Sequence, residues 1–272
     1  MTNPRQLLEF HGIHPKKSLG QNFLFDPNTL RKIAEIADVQ SGFTVLEIGT
    51  GTGTLTRLLA ERAAKVITLE VDERFLPLLR HELGASPNIE LHLQDILEAD
   101  IPTLIGDAPY QVVGNLPYYI TSAILRKVLE TRPKPHSLTV LVQKEVADRV
   151  IEQPPNMSIL SVSVQFYGKP KIAMKVKPPV FWPRPEVDSA LVNMEIYHEP
   201  AVQVPDEESF FDVVRAGFGQ KRKQLKNSLA SGLGLSADST AALLEKVGID
   251  STRRAETLTL EEWAALTRAY RS

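Results

Sequence analysis

Cysteine is absent from this 272-residue chain, which excludes disulfides and every cysteine-ligated zinc or iron–sulfur site. No apolar run approaches the ~20 residues of a membrane span, so no membrane association is expected. A surplus of charge is missing too. Lys and Arg number 31 against 33 Asp and Glu, a net charge of −2, so any surface for nucleic acid must be local. The first ten residues lack the apolar core of a secretory signal. No histidine offers itself as a catalytic base, and no metal site is expected. These absences fit a cytoplasmic protein in a reducing compartment. What the chain does have is 43% hydrophobic residues, enough for one large core and a smaller second one.

Residues 1–19 carry Arg5, His11, His14, Lys16 and Lys17 and read as a mobile basic arm. Asp26-Pro27 predicts a helix start as N-cap and first helical residue, with Leu30, Ile33, Ala34 and Ala37 as its apolar stripe. Strand-like runs then alternate with helical patterns. The strands are Thr44–Ile48, Lys65–Leu69, Ile89–Leu93, Tyr110–Val113 and Leu138–Val142; the helices are Leu55–Arg62, Glu73–Leu83 and Thr121–Glu130. Short, continuously apolar strands separated by helices predict a parallel sheet covered on both faces, an α/β fold. Met157–Tyr167 reads as a helix, and Ile172–Val176 and Ala190–Ile196 as closing strands. His198–Glu208, with prolines and acids and no apolar period, reads as a linker. Beyond it Phe210–Phe218, Lys221–Leu229, Thr240–Val247 and a last helix opened by Thr259 with Glu262 read as all-helical.

The run Glu47-Ile48-Gly49-Thr50-Gly51-Thr52-Gly53 lies between a strand and a helix. Glycines there let backbone approach a ligand closely. A dinucleotide fingerprint needs glycine at position 54, where this chain has Thr54. The observed spacing, with the acid Glu47 ahead of it, favours S-adenosylmethionine, which has an ammonium to neutralise and no pyrophosphate to cradle. Glu70 and Asp95 follow at the ends of the next two strands, where open α/β sheets bind ligands. Glu70 is placed to take ribose hydroxyls and Asp95 the adenine amino group, with Ile96 beside the ring.

Asn115-Leu116-Pro117-Tyr118 ends the fourth strand. A carboxamide oxygen and a nearby carbonyl, of Leu116 or Pro117, accept both hydrogens of an exocyclic amine. Pro117 fixes the backbone that carries the carbonyl, and Tyr118 offers a stacking face.

The order of Gly20-Gln21-Asn22-Phe23-Leu24, the glycine run, Glu70, Asp95, Asn115-Leu116-Pro117-Tyr118 and Phe181-Trp182-Pro183-Arg184-Pro185-Glu186-Val187-Asp188-Ser189 resembles the ribosomal RNA adenine N6-dimethyltransferases, from about Lys16 to the C-terminus. It looks most like the bacterial small-subunit (16S) branch, which dimethylates two adjacent adenosines in a hairpin loop near the RNA 3′ end. The resemblance implies a Rossmann-like class I methyltransferase sheet with a smaller all-helical C-terminal domain. The division it suggests is an arm with the first cofactor motif over 1–25, the S-adenosylmethionine-dependent methyltransferase domain over 26–198, and an RNA-binding domain over 199–272. It further implies that Gln21, Asn22 and Leu24 line the cofactor pocket together with Gly49, Gly51 and Gly53. Gly49, Glu70 and Asp95 would hold the methionyl, ribose and adenine parts, and Asn115 would bridge cofactor and substrate. Phe181 would form a second stacking wall. Thr50 stands where the family often has proline.

Two windows hold only basic charges: Lys169 to Arg184, and Arg215 through Lys221, Arg222, Lys223 and Lys226. The second is expected to grip the RNA backbone. Small-subunit ribosomal RNA within a pre-ribosomal particle is the expected partner, and a monomer the expected state. Three rival readings share many of these motifs. They are the antibiotic-resistance enzymes acting on large-subunit (23S) RNA, a non-catalytic ribosome assembly factor, and a DNA adenine methyltransferase. The last usually carries a proline where Leu116 stands.

Overall fold

A computed structural model describes residues 4–272. Its described residues separate into two compact units, one of residues 4–147 and 170–196, the other of residues 148–169 and 197–272.

The first unit is built on a seven-stranded sheet of order β4-β3-β2-β5-β6-β9-β7. The strands are β2 (Thr44–Ile48), β3 (Lys65–Glu70), β4 (Ile89–Leu93), β5 (Tyr110–Asn115), β6 (Ser137–Gln143), β7 (Gly168–Val176) and β9 (Ser189–Ile196); β1 (Phe23–Leu24) and β8 (Phe181–Trp182) form a separate antiparallel pair. Strands β2 to β6 run parallel, and β9 is antiparallel to β6. Every residue of β2 is buried, as are the middle five of β6. That is why they read as mostly apolar runs rather than as alternating ones: both faces are covered.

Helix α2 (Pro27–Ala37) starts as the sequence dictates. The Asp26 carboxylate accepts from the Thr29 amide at 2.7 Å, and Leu30, Ile33, Ala34 and Ala37 are buried. Helices α3 (Thr54–Ala60), α4 (Leu76–Leu83), α5 (Ile101–Ile105), α6 (Thr121–Glu130) and α7 (Lys144–Val150) follow. From β2 the chain steps outward to β3 and β4, then returns to place β5 on the other side of β2. This reversal opens a crevice at the strand ends. Gly114 makes the β2–β5 contact possible: a Cβ there would stand 2.6 Å from the Ile48 carbonyl oxygen.

The expected arm is corrected over its described part. Pro4–Phe10 is helix α1, and its Leu7 and Leu8 are buried together with Ile13, Phe75, Leu78 and Leu79. Burying leucines stabilises the segment by roughly 2 kcal/mol each, which a solvated tail would forgo. Residues 1–3 and the Lys17 side chain lie outside the described part.

In the second unit α8 (Ile159–Tyr167) joins α9 (Glu207–Phe218), α10 (Leu225–Leu233), α11 (Ala237–Lys246) and α12 (Leu260–Arg271). Phe166 stacks on Phe210 at 4.6 Å, and the Tyr167 hydroxyl donates to Glu207. These contacts put residues 148–169 with the helical unit, whereas the sequence division had them in the methyltransferase domain. The Thr259–Glu262 capping box forms as predicted. Lys221–Gln224, expected to open a helix, instead form a turn, and α10 starts at Leu225.

Candidate active site

The crevice is lined from four segments: the Leu19–Leu24 loop, the Gly49–Thr52 loop after β2, the ends of β3 and β4 with Glu70, Asp95 and Ile96, and Asn115–Ile120. All belong to the first unit. Gly49 and Gly51 have φ of +84° and +55°, a region that side chains disfavour, so the loop turns there with bare backbone facing the crevice.

Glu70 ends β3 with only 6% of its surface exposed. One oxygen accepts from the Gly51 amide at 2.9 Å and the other from the Val71 and Asp72 amides, each at 3.0 Å. Burial nevertheless raises its pKa above the ordinary carboxylate value. Further hydroxyl donors would favour the charged form, and a ribose diol supplies a pair. Asp95 accepts from the Leu97 amide at 2.9 Å. With Ile96, Leu24 and the bare glycine loop, this donor and acceptor set suits a nucleoside-type methyl donor.

Gln21 has both ends committed. Its oxygen accepts from the Lys16 amide, and its nitrogen donates to Asp72 at 3.0 Å. The Arg74 guanidinium holds the Asp72 carboxyl down at about 2 and also donates to the His14 carbonyl. The loop bearing Gln21 and Asn22 is therefore clamped to the end of β3.

At Asn115 the carboxamide nitrogen donates to the Asn22 carbonyl at 2.9 Å. Only the nitrogen end can donate to a carbonyl, so the amide orientation is fixed and its oxygen remains an acceptor. The two candidate carbonyls beside it differ in their hydrogen bonding. The Pro117 carbonyl already takes the Thr121 hydroxyl at 3.0 Å and the Ile120 amide, whereas the Leu116 carbonyl is not among the acceptors of these bonds. Tyr118 is half-buried, its hydroxyl 2.6 Å from that of Ser189, and burial raises its pKa.

Three sequence expectations are corrected. Phe181 does not line the crevice: it is 2% exposed, packed in the core with Leu24 and Val113 and paired in β8 with Leu24. It stands behind the wall. Gly53 is also off the crevice; it caps α3 with φ +73°, and a Cβ on it would lie 3.0 Å from Leu83. Its job is close packing. Glu47 is fully buried below the loop, where one oxygen accepts from Thr56 and Thr68, each at 2.6 Å, and the other has no partner. Burial pushes its pKa up to about 7, and it is not among the residues lining the crevice.

Sequence reasoning missed Tyr119, a crevice residue that is 61% exposed. Its place beside Tyr118 was the available signal. The second basic window lies in the helical unit, with Lys221, Arg222 and Lys223 exposed in the turn between α9 and α10 and Lys226 half-buried. Arg215 of the same window pairs with Asp212 at 2.5 Å, as Lys177 in the first window does with Asp188 at 2.6 Å, whereas among the described residues these four have no acidic partner.

The sequence of residues 13–271 matches the family model for ribosomal RNA adenine dimethylase. A curated relative from Dehalococcoides mccartyi, named ribosomal RNA small subunit methyltransferase A, is 43% identical over 99% of this chain and 93% of its own. One of the same name from Alkaliphilus metalliredigens is 42% identical over 97% of this chain and 94% of its own. Among solved structures, the 23S rRNA methyltransferase ErmE superposes with a TM-score of 0.72 at 31% identity, covering 92% of this chain and 100% of that one. A dimethyladenosine transferase from Plasmodium falciparum gives a TM-score of 0.78 at 24% identity over 90% of this chain and 95% of that one.

Proposed function

The chain belongs to the ribosomal RNA adenine dimethylase family and is an S-adenosylmethionine-dependent rRNA adenine dimethyltransferase; on that premise we propose that its substrate is small-subunit (16S) rRNA in a pre-ribosomal particle, where it dimethylates N6 of two adjacent adenosines. The observation that supports this reading is the Asn115 amide at the end of β5, its nitrogen held by Asn22 and its oxygen left to accept; the Leu116 carbonyl is taken as the second acceptor in the same crevice. The small-subunit reading is favoured over the large-subunit one because the relatives named for the small subunit reach 43% identity, against 31% for ErmE.

Gly49 and Gly51, Glu70, Asp95 with Ile96, and the clamped Gln21–Leu24 loop are the residues that would hold S-adenosylmethionine. When bound, it supplies a methyl group on a sulfonium that is already activated. The chain's own task is then to aim a poor nucleophile. The adenine N6 lone pair is delocalised into the ring, and accepting its hydrogens at Asn115 and Leu116 favours a more tetrahedral nitrogen. Tyr118 stacks on the extruded base; such a stack contributes roughly 1–3 kcal/mol, which offsets the few kcal/mol of unstacking. In-line positioning supplies the rate, so no strong base is required. The unpaired cations Lys221, Arg222, Lys223 and Lys226 are assigned to the RNA backbone. The protein is read as monomeric and cytoplasmic; among the described residues no helix is long and apolar enough to cross a membrane.

Asn115→Ala is expected to abolish methyl transfer to unmethylated small subunits while weakening cofactor binding less. Near-normal methylation by that variant would remove Asn115 from the mechanism. Transfer by the unaltered enzyme to large subunits alone would overturn the substrate assignment.

A further inference from the structure

We propose that Tyr119 is the platform on which the adenosine next to the one in the pocket stacks, so that one tyrosine serves each of two adjacent bases; this rests on the adjacent-adenosine reading above. Tyr118 and Tyr119 follow Pro117 in one short 3-10 turn, Tyr118–Ile120. Their rings are held in different places. The Tyr118 hydroxyl is tied to Ser189 on β9 at 2.6 Å. The Tyr119 ring lies instead over the Gly20 backbone, where a Cβ would meet its Cδ1 at 3.1 Å. Gly20 has φ +58°, so the bare backbone under the ring is where a side chain is disfavoured and would crowd it.

Three aromatic residues line the crevice: Phe23, Tyr118 and Tyr119. Phe23 is buried and Tyr118 half-buried, whereas Tyr119 is 61% exposed. With Phe181 in the core, Tyr119 is, among the described residues, the exposed aromatic lining the crevice. Its turn is tied down on both sides. The Thr121 hydroxyl and the Ile120 amide both close on the Pro117 carbonyl, and α6 begins at Thr121. A ring presented from a fixed turn loses little freedom when a base settles on it. When the target base swings out of its stack, its neighbour loses a stacking partner. A flat aromatic at the mouth replaces that partner with no requirement for base-edge contacts.

The test compares Tyr119→Phe, Tyr119→Leu and Tyr119→Ala with the unaltered enzyme, on unmethylated small subunits and on subunits whose neighbouring adenosine is replaced by an abasic nucleotide. Cofactor affinity is measured by calorimetry throughout. Tyr119→Phe, which keeps the ring, is expected to retain most of the activity that the two non-aromatic variants lose. Tyr119→Leu and Tyr119→Ala are expected to lower kcat/KM for the subunit by roughly 5- to 150-fold, the range of one base–aromatic stack, with cofactor affinity unchanged. The abasic subunit is expected to cost the parent a similar factor and the two non-aromatic variants little more, because the stack they lack cannot be lost twice. Full activity of Tyr119→Leu would overturn the proposal, as would equal abasic penalties in parent and Tyr119→Ala. So would a loss confined to cofactor affinity, which would make Tyr119 a lid on the cofactor. A parent enzyme that methylates no small subunit would refute the substrate reading itself and this inference with it.

Discussion

Replacing Glu47 by glutamine separates the electrostatic cost of a buried acid from its packing. Glu47 is fully buried, and one of its oxygens has no hydrogen-bond partner. Burial is the dominant cause of a pKa near 7, against an ordinary 4.5, and the Thr56 and Thr68 hydroxyls oppose it only in part. Between those values the folded chain holds a proton that the unfolded chain has released. Stability conferred at low pH is therefore lost as pH rises from about 4.5, and the loss levels off above about 7. A 2.5-unit separation corresponds to roughly 3 kcal/mol in full, of which about 2–3 kcal/mol falls between pH 5 and pH 8. Glutamine keeps the shape and an acceptor for the threonines but cannot ionise. Urea unfolding of both proteins at several pH values in that range reads the effect. The Glu47→Gln protein should gain about 2–3 kcal/mol on the parent as pH rises, whatever constant offset the amide brings. Parallel stability curves would show that Glu47 titrates as an ordinary carboxylate, and the account of its burial would fail.

Glu70→Ala is expected to weaken S-adenosylmethionine binding by tenfold or more in a calorimetric titration; an unchanged titration would dismiss its ribose contact. Gly114→Ala forces a methyl to within 2.6 Å of the Ile48 carbonyl and is expected to cost about 1–3 kcal/mol in urea unfolding and to misplace Asn115, so a stable and active variant would contradict the β2–β5 geometry. Charge reversal at Lys221, Arg222 and Lys223 is expected to weaken RNA binding and to reduce the salt slope by about 2–3. A slope that does not change would put the RNA surface elsewhere.

Much of the architecture was open to reading because local and global preferences agree. Strands buried on both faces are mostly apolar without a period-2 alternation, so β2, β5 and β6 announce themselves. Asp26-Pro27 and the Thr259–Glu262 box mark helix starts through bonds made within one turn, and such bonds depend on nothing distant. The glycine loop, Glu70, Asp95 and Asn115 are legible for a related reason: strand C-termini converge wherever a parallel sheet is built.

Elsewhere the outcome depended on partners far along the chain. The motif of Phe181 names its neighbours but not its burial, which follows from pairing with Leu24 across more than a hundred residues. Leu7 and Leu8 look like residues of a polar tail until α4 supplies a surface for them. Gly53 resembles its fellow glycines, yet packing against Leu83 sets its role. Thr121 reaching back occupies the Pro117 carbonyl, and residues 148–169 were claimed by Phe210 and Glu207. Sequence determined which chemistry this chain holds, because motif chemistry is local. Tertiary packing decided which atoms are free to perform it, because burial and hydrogen-bond saturation depend on what the rest of the chain brings alongside.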